Sequence, residues 1–429
     1  MPPARGFKGT EYSQPTSPSG DYWQSFKTGD FKEKWNSSKL IVKEGKGAIA
    51  PLLQLLHDPT ADAETHWFTI RALGSFPDPQ VIQAIAAQIG PACQVQQRTA
   101  EQATELSNFA IETLAAMGPM AVDVLTQLLK TSEQRLLAAK ALNQIRSNSI
   151  IPAMVSITKD EDATVRYYAI DALGSFHNPI VTPVLIDALK DPAASVRKAA
   201  VMALGRRHDL YTDCQLSQRL KPLLWDLDVT VCRQAALALG RLGAGDMVDT
   251  LHQLLLSANT PLVLRLDILR ALAWCCDKAS ADAAQSHALN QAPQRAYDAL
   301  TQSLQAFANP KAPLDTLTTE ELNQLLVAII HILGDSPINQ ETSSHSLIAY
   351  LASPPHTLAV VQAIIMALAN LAQPDAFEAL LPLLTHTADI IPIHTIAALK
   401  RLDPNLSAER VHQYLDNFPD HKANVLQFW

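Results

Sequence analysis

The chain is short of charge, aromatics and glycine. Of its 429 residues 18% are charged, 6% are aromatic and 15 are glycine. An ordinary soluble chain carries about 25% charged residues. So few glycines exclude collagen and disfavour a Gly-rich β-architecture, and so little charge excludes a coiled-coil rod. Five cysteines (Cys93, Cys214, Cys232, Cys275 and Cys276), an odd number without any C-x-x-C, offer no disulfide framework. No apolar run reaches the roughly 18 residues of a membrane span. The opening MPPARGFKGTEYSQ lacks the apolar core of a secretory signal. A cytoplasmic, reducing location is expected.

What is present is aliphatic. Hydrophobic residues make up 48%, mostly Ala, Leu, Ile and Val, which suit close-packed helices. That much apolar side chain excludes global disorder. The net charge is −8; residues 1–50 hold eight basic and five acidic residues, so the other 379 carry −11. A nucleic-acid binder usually shows a basic footprint, and no nucleic-acid partner is expected.

Length alone points to about three domains, but internal repetition overrides it. VRYYAIDALG (165–174), VRKAAVMALG (196–205), VCRQAALALG (231–240) and LRLDILRALA (264–273) align on their last residue. THWFTIRALG (65–74) and QRLLAAKALN (134–143) fit the same frame. The ends at 143, 174, 205, 240 and 273 are 31, 31, 35 and 33 residues apart. A period of this length with two helical stretches predicts an all-α solenoid of stacked two-helix repeats. In each unit a first helix such as 180–191 leads through an Asp/Pro turn to a second helix such as 194–205.

Asp160, Asp191 and Asp226 stand fourteen residues before the unit end, where they are expected to accept backbone N–H bonds. Arg135, Arg166, Arg197 and Arg265 stand eight before it, which predicts an Arg-to-Asp ladder between repeats. The terminal glycines at 74, 174, 205 and 240 are expected to form left-handed caps. The predicted organisation is a polar tail and the start of a capping helix, partly disordered (1–36). A repeat array (37–276), a helical insertion and loop (277–320), and weaker repeats with a cap (321–429) follow.

No phosphate loop, G-x-S-x-G, H-E-x-x-H or EF-hand spacing occurs. Catalytic residues therefore stay unassigned and no metal site is expected. Cys275 and Cys276 read as buried filler, as does Cys232; His331 and His394 read as satisfied core histidines. The informative columns lie seven and three residues before each unit end, one turn apart on a second-helix face. They hold Trp67, Tyr167, Lys198 and Arg233, and Arg71, Asp171 and Arg270. These are the candidate ligand- or partner-binding residues. Such a stripe suits a partner helix. It also suits a linear tetrapyrrole, with Trp67 and Tyr167 stacking and Arg71, Arg233 or Arg270 holding carboxylates.

The unit D-x-x-x-x-V-R-x-x-A-x-x-A-L-G, complete at 191–205, resembles the short HEAT-like repeat. That repeat is shared by cyanobacterial phycobilin lyases and deoxyhypusine hydroxylase. The resemblance covers most of 46–276 and, more loosely, 321–402. Deoxyhypusine hydroxylase needs paired His-Glu motifs for two irons, and none of the 13 histidines here precedes a glutamate. The WF-x-x-RALG unit (67–74) and VRYYAIDALGSFHNP (165–179) are similar in texture to the lyase-like group, although no defining catalytic motif matches.

The resemblance implies a protein-binding scaffold with a second-helix concave surface. Its client would be a phycobiliprotein or another photosynthetic assembly partner. The alternative it implies is a phycobilin lyase or lyase partner subunit, attaching a bilin to a client cysteine by positioning. Whether the chain is an enzyme stays open. No resident cofactor is expected, a bilin being the transferred ligand on the second reading. A second HEAT-repeat subunit is a further candidate partner.

Overall fold

The computed structural model describes residues 21–90, 99–277, 291–308, 317–353, 356–405 and 407–427. Every regular element among them is helical. The chain forms two compact units, 1–184 and 185–429.

In the first unit, helices Asp21–Thr28 and Phe31–Lys43 precede four pairs whose second helices are Ala63–Leu73, Ala100–Ala116, Ser132–Gln144 and Ala163–Leu173. In the second unit the second helices are Ala194–Leu204, Val229–Leu242, Leu262–Asp277, Thr319–Asp335, Leu358–Leu371 and Ile390–Leu402. Most of the expected polar tail lies outside the described residues. The expected insertion contains a helix, Ala292–Ala308, that packs on Val248–Leu256, Leu262–Asp277 and Thr319–Asp335 as a first helix would. Residues 278–290 and 309–316 lie outside the described residues.

The second helices carry the packing. Ala169, Ala172, Ala200, Ala235, Ala238 and Ala271 are completely buried, so each removes its small apolar face from water. Gly205 and Gly240 serve this approach, and the repeat-end glycines are not the left-handed caps that were expected. Gly74, Gly174 and Gly205 have φ of −57°, −59° and −64°, ordinary right-handed values. A Cβ on Gly205 would come within 2.6 Å of the Ala238 Cβ, and one on Gly240 within 2.5 Å of the Ala271 Cα. Neighbouring backbones touch at these points, and there is no room for a methyl group. The left-handed cap of the Val229–Leu242 helix is Gly243, at φ 68°.

The Arg-to-Asp ladder is present within each unit. Arg135 donates to Asp160 at 2.9 Å in the first. In the second, Arg197 donates to both Asp226 oxygens at 2.7 Å and to the carbonyls of Asp191 and Pro192. Asp226 also accepts the backbone N–H of Asp228, two residues on. The Arg197 hydrogen bonds hold the Asp226 carboxyl below its ordinary pKa despite burial. Cys232 takes the arginine's place in the next repeat, and its thiol points to the Asp226 carbonyl at 3.2 Å. Burial pushes that thiol up. Arg265 is fully buried and donates to the carbonyls of Thr260 and Ser257.

Candidate binding surfaces on the second helices

Residues at i, i+4 and i+8 of a helix lie along one face, because four residues is slightly more than one turn. The first unit contributes Trp35–Lys39–Lys43, Trp67–Arg71–Ser75 and Phe109–Thr113–Met117. The helix bearing Trp35 is fixed by Asp30, which forms a capping box with Glu33. Lys34, one residue before Trp35, is buried and donates to Asp62 and Glu64 at 3.0 Å each. Burial works against its charge, but the two carboxylates outweigh it and raise the ammonium's pKa. Asp62 is also the N-cap of Ala63–Leu73. This one cluster sets the register between the two helices.

That register stacks Arg71 on tryptophan. Its guanidinium carbon lies 3.9 Å from the Trp35 ring centroid and 5.6 Å from that of Trp67. Lys39 sits 5.1 Å from the Trp35 centroid. Phe109 stacks on Trp67, with centroids 4.5 Å apart and planes 25° apart. Beside the stack opens a groove of about 670 Å³, bordered by Lys39, Lys43, Arg71, Phe109, Glu112 and Thr113. Three cations face one carboxylate there. Among the described residues none of the three cations makes an ion pair.

Tyr167 and Asp171 occupy the same two columns further along the unit. Tyr167 packs edge-on against Tyr168 at 5.3 Å. Burial, then the charge of Asp171, raises its phenol pKa. Asp171 accepts from Asn143 at 3.0 Å. Two second helices separate Trp67 from Tyr167, and the structure does not bring their rings together.

In the second unit the rows are Lys198–Met202–Arg206, Arg233–Leu237–Arg241 and Leu266–Arg270–Trp274. Five of these nine positions are cationic and none is acidic. Arg233 and Arg270 are brought together by a residue outside the columns. Asp267 accepts from Arg233 at 2.6 Å and from Arg270 at 3.0 Å, and its side chain is only 3% exposed. Arg241 lies over Trp274, 5.3 Å from the centroid. Burial, then the charge of Arg206, lowers the Arg241 pKa.

Sequence reasoning missed Trp35, Lys39, Asp267 and the column of Arg206, Arg241 and Trp274. That column continues the same four-residue step once more, so its signal was in the alignment. Asp267 stands where other repeats have Tyr168, Ala199 and Gln234, so periodicity gave no hint of it. His331 is exposed on its second helix rather than held in the core, and His394 is half-buried. Cys275 and Cys276 are buried. Among the described residues no three His, Cys, Asp or Glu side chains gather as a metal site would require.

Residues 151–237 match the family model of HEAT repeats. A crystal structure of importin beta is similar at 14% identity and TM-score 0.51, over 95% of this chain and 67% of its own. A Kap95:Nup1 complex is similar at 15% identity and TM-score 0.53, over 92% of this chain and 58% of the other. No curated protein matches. These likenesses establish the fold, a HEAT-like α-solenoid. No helix among the described residues is long and apolar enough to cross a membrane.

Proposed function

We propose that the protein is an interaction scaffold whose first unit holds an acidic segment of a partner protein in the groove beside Arg71. The observation that carries this is the guanidinium stacked against Trp35 and Trp67, with no carboxylate partner among the described residues. Stacking restricts the side chain before any partner arrives, so less rotamer entropy is lost on binding. A guanidinium edge is matched to a carboxylate by two parallel N–H bonds. Lys39 and Lys43 add attraction on the neighbouring helix.

The repeat resemblance makes a phycobiliprotein or another photosynthetic assembly client one source of such a segment. The bilin-transfer reading would use Arg71 as a propionate clamp and Trp67 and Tyr167 as stacking surfaces. With Trp67 against Phe109 and Tyr167 three repeats away, the geometry favours the peptide.

The test is photo-crosslinking of the full chain with a fluorescent Glu/Ser-repeat dodecapeptide, sites being mapped by mass spectrometry; biliverdin binding is read in parallel. Crosslinks within residues 35–75 that fall about tenfold in Arg71→Ala support the reading. Crosslinks there that are unchanged in Arg71→Ala, or their absence, overturn it. Biliverdin bound in place of the peptide also overturns it.

A further inference from the structure

We infer that the second unit carries its own site for an acidic protein segment, on the rows Lys198–Met202–Arg206, Arg233–Leu237–Arg241 and Leu266–Arg270–Trp274. This goes beyond the groove over Arg71 and uses none of its residues. The contacts of Gly205 with Ala238 and of Gly240 with Ala271 draw three consecutive second helices as close as backbones allow. Arg206, Arg241 and Trp274 each follow the unit end by one residue, so the close approach sets them side by side. Cations on adjacent helices repel, and a fold that keeps them together leaves a field suited to an anion.

The nine positions hold five cations in a chain whose net charge is −8. Asp267 lies beneath the surface and engages Arg233 and Arg270. Each arginine keeps much of its surface in solvent, 42% and 58% of the side chain. Asp267 therefore orients two guanidinium groups outward while offsetting one of their charges. Neither Lys198 nor Arg206 has a carboxylate partner among the described residues.

Met202 and Leu266, both half-buried, lie among the cations, Leu237 is buried beneath them, and Trp274 lies under Arg241. Partly exposed apolar side chains among cations fit a peptide that carries apolar side chains between its carboxylates. A long nucleic acid would meet the −11 carried beyond residue 50, which opposes polyanion binding.

The test uses the full chain and a crosslinkable peptide of alternating Glu and Leu, with an oligodeoxythymidylate of equal charge as competitor. Lys198→Glu/Arg206→Glu is compared with Lys130→Glu/Lys159→Glu, which changes the net charge equally in the other unit. Lys198→Ala/Arg206→Ala serves if the reversal does not fold. The expected result is crosslinks within 198–274 that fall about tenfold in the first variant and less than twofold in the control, with crosslinks to 35–75 retained. Equal loss in both variants, no crosslinks within 198–274, or tighter binding of the oligonucleotide than of the peptide overturns the inference. Each result leaves the reading of the Arg71 groove to its own crosslinks.

Discussion

Arg71 lies across the indole of Trp35, a residue of the Phe31–Lys43 helix, with its guanidinium carbon 3.9 Å from the ring centroid. The cation is exposed while its flat face is covered. Cation–π contacts at exposed sites contribute about 0.5–1 kcal/mol, enough to bias one rotamer. Binding at this surface, as proposed, would depend on a contact between helices, and the fold supplies that contact through Lys34 and Asp62.

The repeat-end glycines discriminate between two accounts of the fold. If they were left-handed caps, asparagine would be tolerated at Gly205. Contact with Ala238 predicts that Gly205→Ala costs about 1–3 kcal/mol as overpacking and that Gly205→Asn costs at least as much. Gly243→Asn, at φ 68°, is predicted to cost less than either. Urea unfolding of the three variants measures this, and a Gly205→Asn chain more stable than Gly205→Ala would contradict it.

The ladder predicts a pH dependence. The folded pKa of Asp226 is lowered by Arg197, against about 3.9 in an unfolded chain. Its contribution to stability is therefore present above about pH 3.9 and is lost as pH falls towards the folded value. Asp226→Asn is expected to remove that part of the acid sensitivity. Arg197→Ala leaves a carboxylate that is only 6% exposed and is expected to cost about 3–5 kcal/mol. Thermal melts between pH 3 and pH 7 read both effects, and equal pH slopes in wild type and Asp226→Asn would refute the linkage.

The repeat frame was legible because solenoid packing requires small residues at fixed spacing, and Ala200, Ala203 and Gly205 recur with their column. The ladder was legible because Arg197 and Asp226 both recur. The glycine's role was misread because φ cannot be seen in a letter, and a Gly ending a helix suits either a cap or a close approach. Trp35 was missed because its helix stands before the first repeat and aligns with none. Asp267 was missed because it occurs once, and its role arises only when Leu262–Asp277 packs beside Val229–Leu242.

Asp267 yields a prediction of its own. Asp267→Asn keeps the shape and removes a charge from beneath Arg233 and Arg270. Affinity for the Glu/Leu peptide in the second unit is expected to rise severalfold at low salt and to return towards the wild-type value as salt screens the surface. The chain is expected to lose about 1–3 kcal/mol of stability as the charged hydrogen bonds weaken. Anisotropy titrations at two salt concentrations, with melts on the same samples, check it. A fall in affinity without loss of fold would show that Asp267 acts in some other way.

The central claim is that Trp35 acts on the partner through Arg71. The direct measurement is a double-mutant cycle on acidic-peptide affinity at the first-unit groove, using Trp35→Ala, Arg71→Ala and both together. The account predicts that Trp35→Ala weakens binding about fivefold, or about 1 kcal/mol, in the wild-type background and has no effect once Arg71 is gone. Equal losses from Trp35→Ala in both backgrounds would contradict it.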